Sequence, residues 1–194
     1  MIEKKLFLLR HAKSSWKNLE LDDHERPLSE RGIFSCQVMA THIFKKLKFK
    51  DISIFSSNSK RTQETCKKIF KNSIKVNYKR ELYTFNFDDL IEWIKEIKIN
   101  KNLMIVGHNP ALIDLINYIA KDKIIKFPTC AFCEINLYIN SWSEIKKNKI
   151  KEINKKSNTE RLSACRVNMR SRDVLYKKKL SSGMDESEQE TKER

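Results

Sequence analysis

Four side chains in this sequence are of the types that together could handle a phosphoryl group. Arg10 and His11 lie in "LFLLRHAKSSWKN", Arg61 in "SSNSKRTQET" and His108 in "LMIVGHNP". A guanidinium grips two phosphate oxygens at once and stays charged at any working pH, whereas lysine acts as a point charge. An imidazole with a pKa near 6.5 is largely neutral at pH 7, and its free nitrogen can attack phosphorus. Phosphoryl transfer asks mainly for positioning and charge stabilisation. Two arginines and a second histidine supply both without a metal or an organic cofactor.

Those residues matter only if the chain brings them together. "KKLFLLR" reads as a buried strand that ends at Arg10-His11. "SERGIFSCQVMATHIFKKL" follows as a helix, with Ser29 as N-cap and Ile33, Val38, Ile43 and Leu47 as its apolar stripe. "DISIFSS" is a strand and "SKRTQETCKKIFKN" a helix, "IKVNYKREL" a further strand, and "DDLIEWIKEIK" a helix. "NLMIVGHNP" is a strand ending in a turn, "ALIDLINYIAK" a helix with Pro110 suited to its first turn, and "FCEINLYIN" an alternating strand. Repeated strand–helix units predict a three-layer α/β/α sandwich around a largely parallel sheet. In such a sheet the carboxyl ends of the strands share one edge, where both histidines and both arginines would converge.

Composition narrows the partners. The net charge of +15 invites a polyanion, yet residues 144–180 alone carry thirteen Lys/Arg against four Asp/Glu, and the remaining excess is scattered lysine. Neither nucleic acid nor membrane is expected as a partner. From about Ser143 the strand–helix pattern fails, so the domain is assigned to residues 1–156 and residues 157–194 to a charged, disordered tail. No run approaches a membrane span, and the N-terminal apolar run is too short for a signal peptide. With five scattered cysteines, Cys36, Cys66, Cys130, Cys133 and Cys165, a reducing cytoplasmic location is expected.

Other motifs have plainer readings. Cys130 and Cys133 form a C-x-x-C without the second pair that zinc requires, and are read as packing residues. His24 and His42 lack a chemical context and are assigned to surface or packing roles. Three glycines, Gly32, Gly107 and Gly183, cannot build a nucleotide loop.

In order along the chain, "LLRHAKSSW", "DDHERPLSERG", "SSNSKRTQET", "LMIVGHNPAL" and "FPTCAF" resemble the histidine phosphatase superfamily, in particular its small SixA-type phosphohistidine phosphatase branch, over roughly residues 4 to 142. The resemblance implies a phosphoglycerate mutase-like fold, with His11 as the nucleophile that becomes phosphorylated. It also implies that Arg10 and Arg61 hold the phosphoryl group, that His108 completes the pocket, and that Arg26 approaches its rim; in the expected mechanism a protonated His108 joins the two arginines in stabilising the charge on the equatorial oxygens. Ala12 stands where the family often has glycine. Larger members carry an acid that protonates the leaving alkoxide; here Thr84 falls near that place, and Glu81, Asp88 and Asp89 are the neighbouring candidates.

An alkoxide needs a proton in the transition state, and a positioned acid contributes about 10²–10⁴-fold. A phosphohistidine protonated on its other ring nitrogen leaves as neutral imidazole and needs the acid less. Short connections between the motifs also predict an open pocket that accepts a side chain presented by a protein. The expected substrate is therefore a phosphorylated protein, such as a phosphohistidine-containing phosphotransfer protein. Two rivals stay open: a phosphomonoesterase or mutase of small metabolites, and a non-catalytic module that binds phosphoproteins.

Overall fold

Phe7 and Leu9 point to one side of the central strand and Leu6 and Leu8 to the other, and all four are at most 2% exposed. That is why this strand reads as a continuous apolar run rather than an alternating one. It is β1 (Glu3–Arg10) of a computed structural model that describes residues 3–71, 73–120 and 123–146. The domain end at residue 156 and the tail from 157 lie outside the described residues.

Four further strands and four α-helices follow in the order α1 (Glu30–Lys46), β2 (Ile52–Ser57), α2 (Lys60–Phe70), β3 (Val76–Lys79), α3 (Phe87–Glu96), β4 (Asn102–Gly107), α4 (Ala111–Ile119) and β5 (Phe132–Tyr138). The sheet order is β3-β2-β4-β1-β5. β1, β2, β3 and β4 are mutually parallel, with Arg10 opposite Gly107 and Ser56 opposite Val106. β5 closes the edge antiparallel to β1. The expected α/β/α sandwich with a largely parallel sheet is thus the observed fold.

Each face of the sheet has its own core. Leu6, Leu8, Leu103 and Ile105 pack with Leu90, Ile91 and Ile94 of α3 and Leu112, Leu115 and Ile116 of α4. Phe7, Leu9, Ile54, Met104 and Val106 pack with α1 and α2. Burying one such side chain stabilises by about 1.5–3 kcal/mol. No helix among the described residues is long and apolar enough to cross a membrane.

Helix α1 departs from its expected stripe. Its buried face is Gly32, Ser35, Cys36, Met39, Ala40 and Ile43, while Ile33 and Val38 are only partly covered. Small residues face inward because the first turn lies directly on the loop that follows β1. Ser29 caps that turn as expected. Its Oγ accepts from the Gly32 amide at 3.2 Å and donates to the Lys13 carbonyl at 3.0 Å.

Candidate active site

Parallel pairing brings the ends of β1, β2 and β4 to one edge of the sheet. The ladder continues one residue past β1, where the His11 amide donates to the Gly107 carbonyl at 3.1 Å. From the other side the Cys130 amide donates to the carbonyls of both Arg10 and His11, at 3.1 and 2.9 Å. Cys130 adopts a left-handed backbone (φ 60°) to do so, a conformation that costs a residue with a Cβ about 1–2 kcal/mol.

His11 is 8% exposed and His108 1% exposed, with ring centroids 5.1 Å apart. The Ala12 carbonyl lies 2.7 Å from His11 Nδ1 and can only accept, so Nδ1 carries the proton. The lone pair of the neutral ring is therefore on Nε2. Burial drives the His11 pKa down to about 3, and Arg61, Arg10 and Arg26 add to the fall against the opposing Ala12 hydrogen bond. The ring is a neutral base at pH 7.

Arg61 stands in the first turn of α2 and is 2% exposed. Its Nη2 lies 3.3 Å from His108 Nδ1. A guanidinium only donates, so Nδ1 of His108 accepts, and its Nε2–H donates to Ser57 Oγ at the end of β2 (2.9 Å). Burial, then His11 and the arginines, push the His108 pKa down to about 2. In the free site this ring is neutral, because burial beside fixed cations disfavours another positive charge; the charge expected on His108 during phosphoryl transfer has to be acquired together with the bound dianion.

Arg10 donates through Nη1 to the Phe127 carbonyl at 2.8 Å. Burial and the nearby Arg61 lower its pKa, yet a guanidinium stays cationic at neutral pH. Its Nε, like that of Arg26, is buried and has no hydrogen-bond partner among the described residues.

The structure also brings in residues that the sequence did not single out. Asp23, in a 3-10 turn (Asp23–Glu25), accepts from Arg61 through its backbone carbonyl and, at 2.7 Å, through Oδ2. Its Oδ1 pairs with Arg26, and its Oδ2 also accepts from the Tyr83 hydroxyl at 2.7 Å. Arg26 is thus one carboxylate away from Arg61, with its guanidinium 3.7 Å from the centroid of the Trp16 ring. With both histidines neutral, three guanidiniums and one carboxylate leave two net positive charges, matching a phosphoryl dianion. The rings of Tyr83 and Phe85 stand 5.3 and 5.2 Å from His108 and form an aromatic wall.

The spacing of Asp23 three residues before Arg26 hinted at that pair alone; nothing in the sequence marked the contact of Asp23 with Arg61, or Tyr83 or Ser57. His24 packs edge-on against Tyr83 at 4.9 Å, and hydrogen bonds to Asn58 and Glu25 raise its pKa. Glu81, Asp88 and Asp89 are exposed. Asp89 is tied to Thr84 Oγ1 at 2.8 Å, and the Asp88 amide to Asn86. Cys130 and Cys133 are buried and not joined in a disulfide, and no metal-ligating cluster exists among the described residues.

The chain matches the family model of the histidine phosphatase superfamily, branch 1, over residues 6–98. It is 31% identical over 157 residues to an uncharacterized chloroplastic protein of Arabidopsis thaliana, a match covering 74% of this chain and 71% of that protein. Among solved structures it is similar to the candidate phosphohistidine phosphatase SixA of Agrobacterium tumefaciens. That likeness has a TM-score of 0.62 and 26% identity, over 71% of this chain and 94% of the other. Its fold is also like that of phosphoglycerate mutase from Bacillus anthracis, with a TM-score of 0.53 and 15% identity over 72% and 89% of the two chains.

Proposed function

Since this chain belongs to the histidine phosphatase superfamily, of phosphatase- or mutase-type enzymes, we propose that it hydrolyses phosphohistidine on protein substrates through a phosphohistidine intermediate on His11. Arg10 and Arg61 hold the equatorial oxygens while His11 Nε2 forms the new N–P bond in line. The substrate P–N bond breaks as it forms, and the electron pair stays on the departing imidazole nitrogen. His108 takes up a proton as the dianion enters, and its Nδ1 changes from acceptor of Arg61 to donor toward phosphate. Water then forms an O–P bond, the P–Nε2 bond breaks, and His11 is regenerated with phosphate as product.

The observation that carries the substrate class is the state of the carboxylates. Glu81, Asp88 and Asp89 are exposed on or before α3. Among the described residues, Asp23 is the carboxylate paired with the pocket arginines, where it is held as an anion by Arg61 and Arg26 and has no proton to give. A pocket in which no carboxylate among the described residues is placed to protonate the leaving group favours a leaving group that needs no such acid. A phosphohistidine protonated on its far nitrogen leaves as imidazole, with a conjugate-acid pKa of about 6.5, far below that of an alcohol.

Phosphate release from a histidine-phosphorylated protein and from a simple phosphomonoester, with His11→Ala beside the wild type, tests this reading. Preference for the P–N substrate, lost in the variant, is expected. Equal or faster turnover of the ester would replace it with a phosphomonoesterase, and binding without release with a phosphoprotein-binding module.

A further inference from the structure

Asp23 occupies, through its backbone carbonyl and its carboxylate, the two terminal nitrogens with which Arg61 would grip a phosphoryl group. Nη1 is taken by the Asp23 backbone carbonyl, and Nη2 is shared between Asp23 Oδ2 and His108 Nδ1. The two partners differ in freedom. The Arg61 side chain is 3% exposed and fixed in α2, whereas that of Asp23 is 43% exposed on a loop at the pocket mouth. Any rearrangement therefore moves the carboxylate and leaves the guanidinium in place.

We propose that Asp23 is a displaceable internal anion and positioning residue. It holds Arg61 and Arg26 together in the free enzyme, yields Arg61 Nη2 to an incoming phosphoryl group, and reclaims it to drive product phosphate out. This rests on the phosphatase reading of the same pocket. Without the carboxylate, the guanidiniums of Arg61 and Arg26 would face each other uncompensated. With it, Arg61 is already aimed at His108 before substrate arrives. A phosphoryl dianion carries more negative charge than the carboxylate it displaces from Arg61 Nη2, and so gains more from the guanidiniums of Arg10, Arg61 and Arg26. The exchange of one anion for another is thus favourable enough to bind and shallow enough to reverse. Tyr83, whose hydroxyl donates to Asp23 Oδ2, tethers the carboxylate close to the pocket.

A residue that only braced Arg61 and one that competes with phosphate predict opposite signs. In the full-length protein, the affinities for orthophosphate and tungstate are measured by calorimetry for wild type, Asp23→Asn and Asp23→Ala, with kcat and KM for phosphoramidate alongside. Removing one nearby negative charge is expected to tighten both anions by about tenfold or more. It should also lower KM and kcat together, as product release slows. Unchanged or weaker anion affinity in Asp23→Asn, which keeps the shape and an acceptor for Arg61, would show a fixed brace and overturn the proposal. Failure of the wild type to bind either anion would instead overturn the phosphoryl-site reading, and this inference with it.

Discussion

His11 and His108 are held neutral by burial beside arginines, and that couples the site to stability. Unfolded, each ring takes its proton near pH 6.5; folded, only near pH 3 for His11 and 2 for His108. Between those values the unfolded chain binds more protons, so stability falls as pH drops below about 6.5 and is fully present above it. The slope is at most about 1.4 kcal/mol per histidine for each pH unit. Urea midpoints at about pH 7.5 and about pH 5 should therefore differ clearly, and less so in His108→Asn, which has no ring to protonate. Equal midpoints for the wild type would mean that the rings are not held neutral. The same arrangement serves chemistry, since a nucleophilic ring must keep its Nε2 lone pair at working pH, and the Ala12 carbonyl fixes which nitrogen that is.

Helix α1 reaches the site only through its first turn. A Cβ on Gly32 would overlap the Lys13 carbonyl oxygen, the same atom that accepts from the Ser29 amide and hydroxyl. In an open helix, Gly→Ala gains about 1 kcal/mol. Here the overlap is with backbone, which cannot rotate away, so the sign reverses. Gly32→Ala is expected to lose about 1–3 kcal/mol and to lower kcat, because the strand-to-helix loop that starts at His11 must shift. A thermal melt with a parallel kinetic assay checks both; a stabilised, fully active variant would refute the close approach. The periodicity of α1 pointed to Ile33 and Val38 instead. Hydrophobicity alone ranks side chains by size, whereas this contact selects small ones. Helix α2 is anchored from the same loop: the Thr65 hydroxyl accepts from the Ala12 amide at 3.0 Å, which sets Arg61 one turn earlier in register with His11.

For the whole molecule, two cores on opposite faces of one sheet fix the edge where the strands end. The far side of that sheet is closed by Trp142, which is 1% exposed and packs with α3, its Nε1 donating to the Lys101 carbonyl at 3.3 Å. Trp142→Ala should destabilise by about 3–5 kcal/mol, and a chain ending at residue 140, without Trp142 and Ile145, should fail to fold. A chain ending at residue 156 should keep the melting temperature and phosphate release of the full protein, since residues 157–194 are charged and poor in apolar side chains. Melts of the three chains check this, and a large loss in the 156-residue chain would move the domain boundary outward. By itself the sequence determined the strand–helix alternation and the placing of Arg10, His11 and His108 at strand ends, with Arg61 at the start of the helix that follows the second strand. Those are local properties, carried by apolar periodicity and by the rule that parallel strands share one edge. Only the tertiary structure decided that Asp23 grips Arg61 from 38 residues away, that Tyr83 binds Asp23 across 60, and that His108 is neutral and donates to Ser57 across 51. Such contacts depend on how separate loops pack at one sheet edge, and on the burial that follows, neither of which is encoded in any single segment.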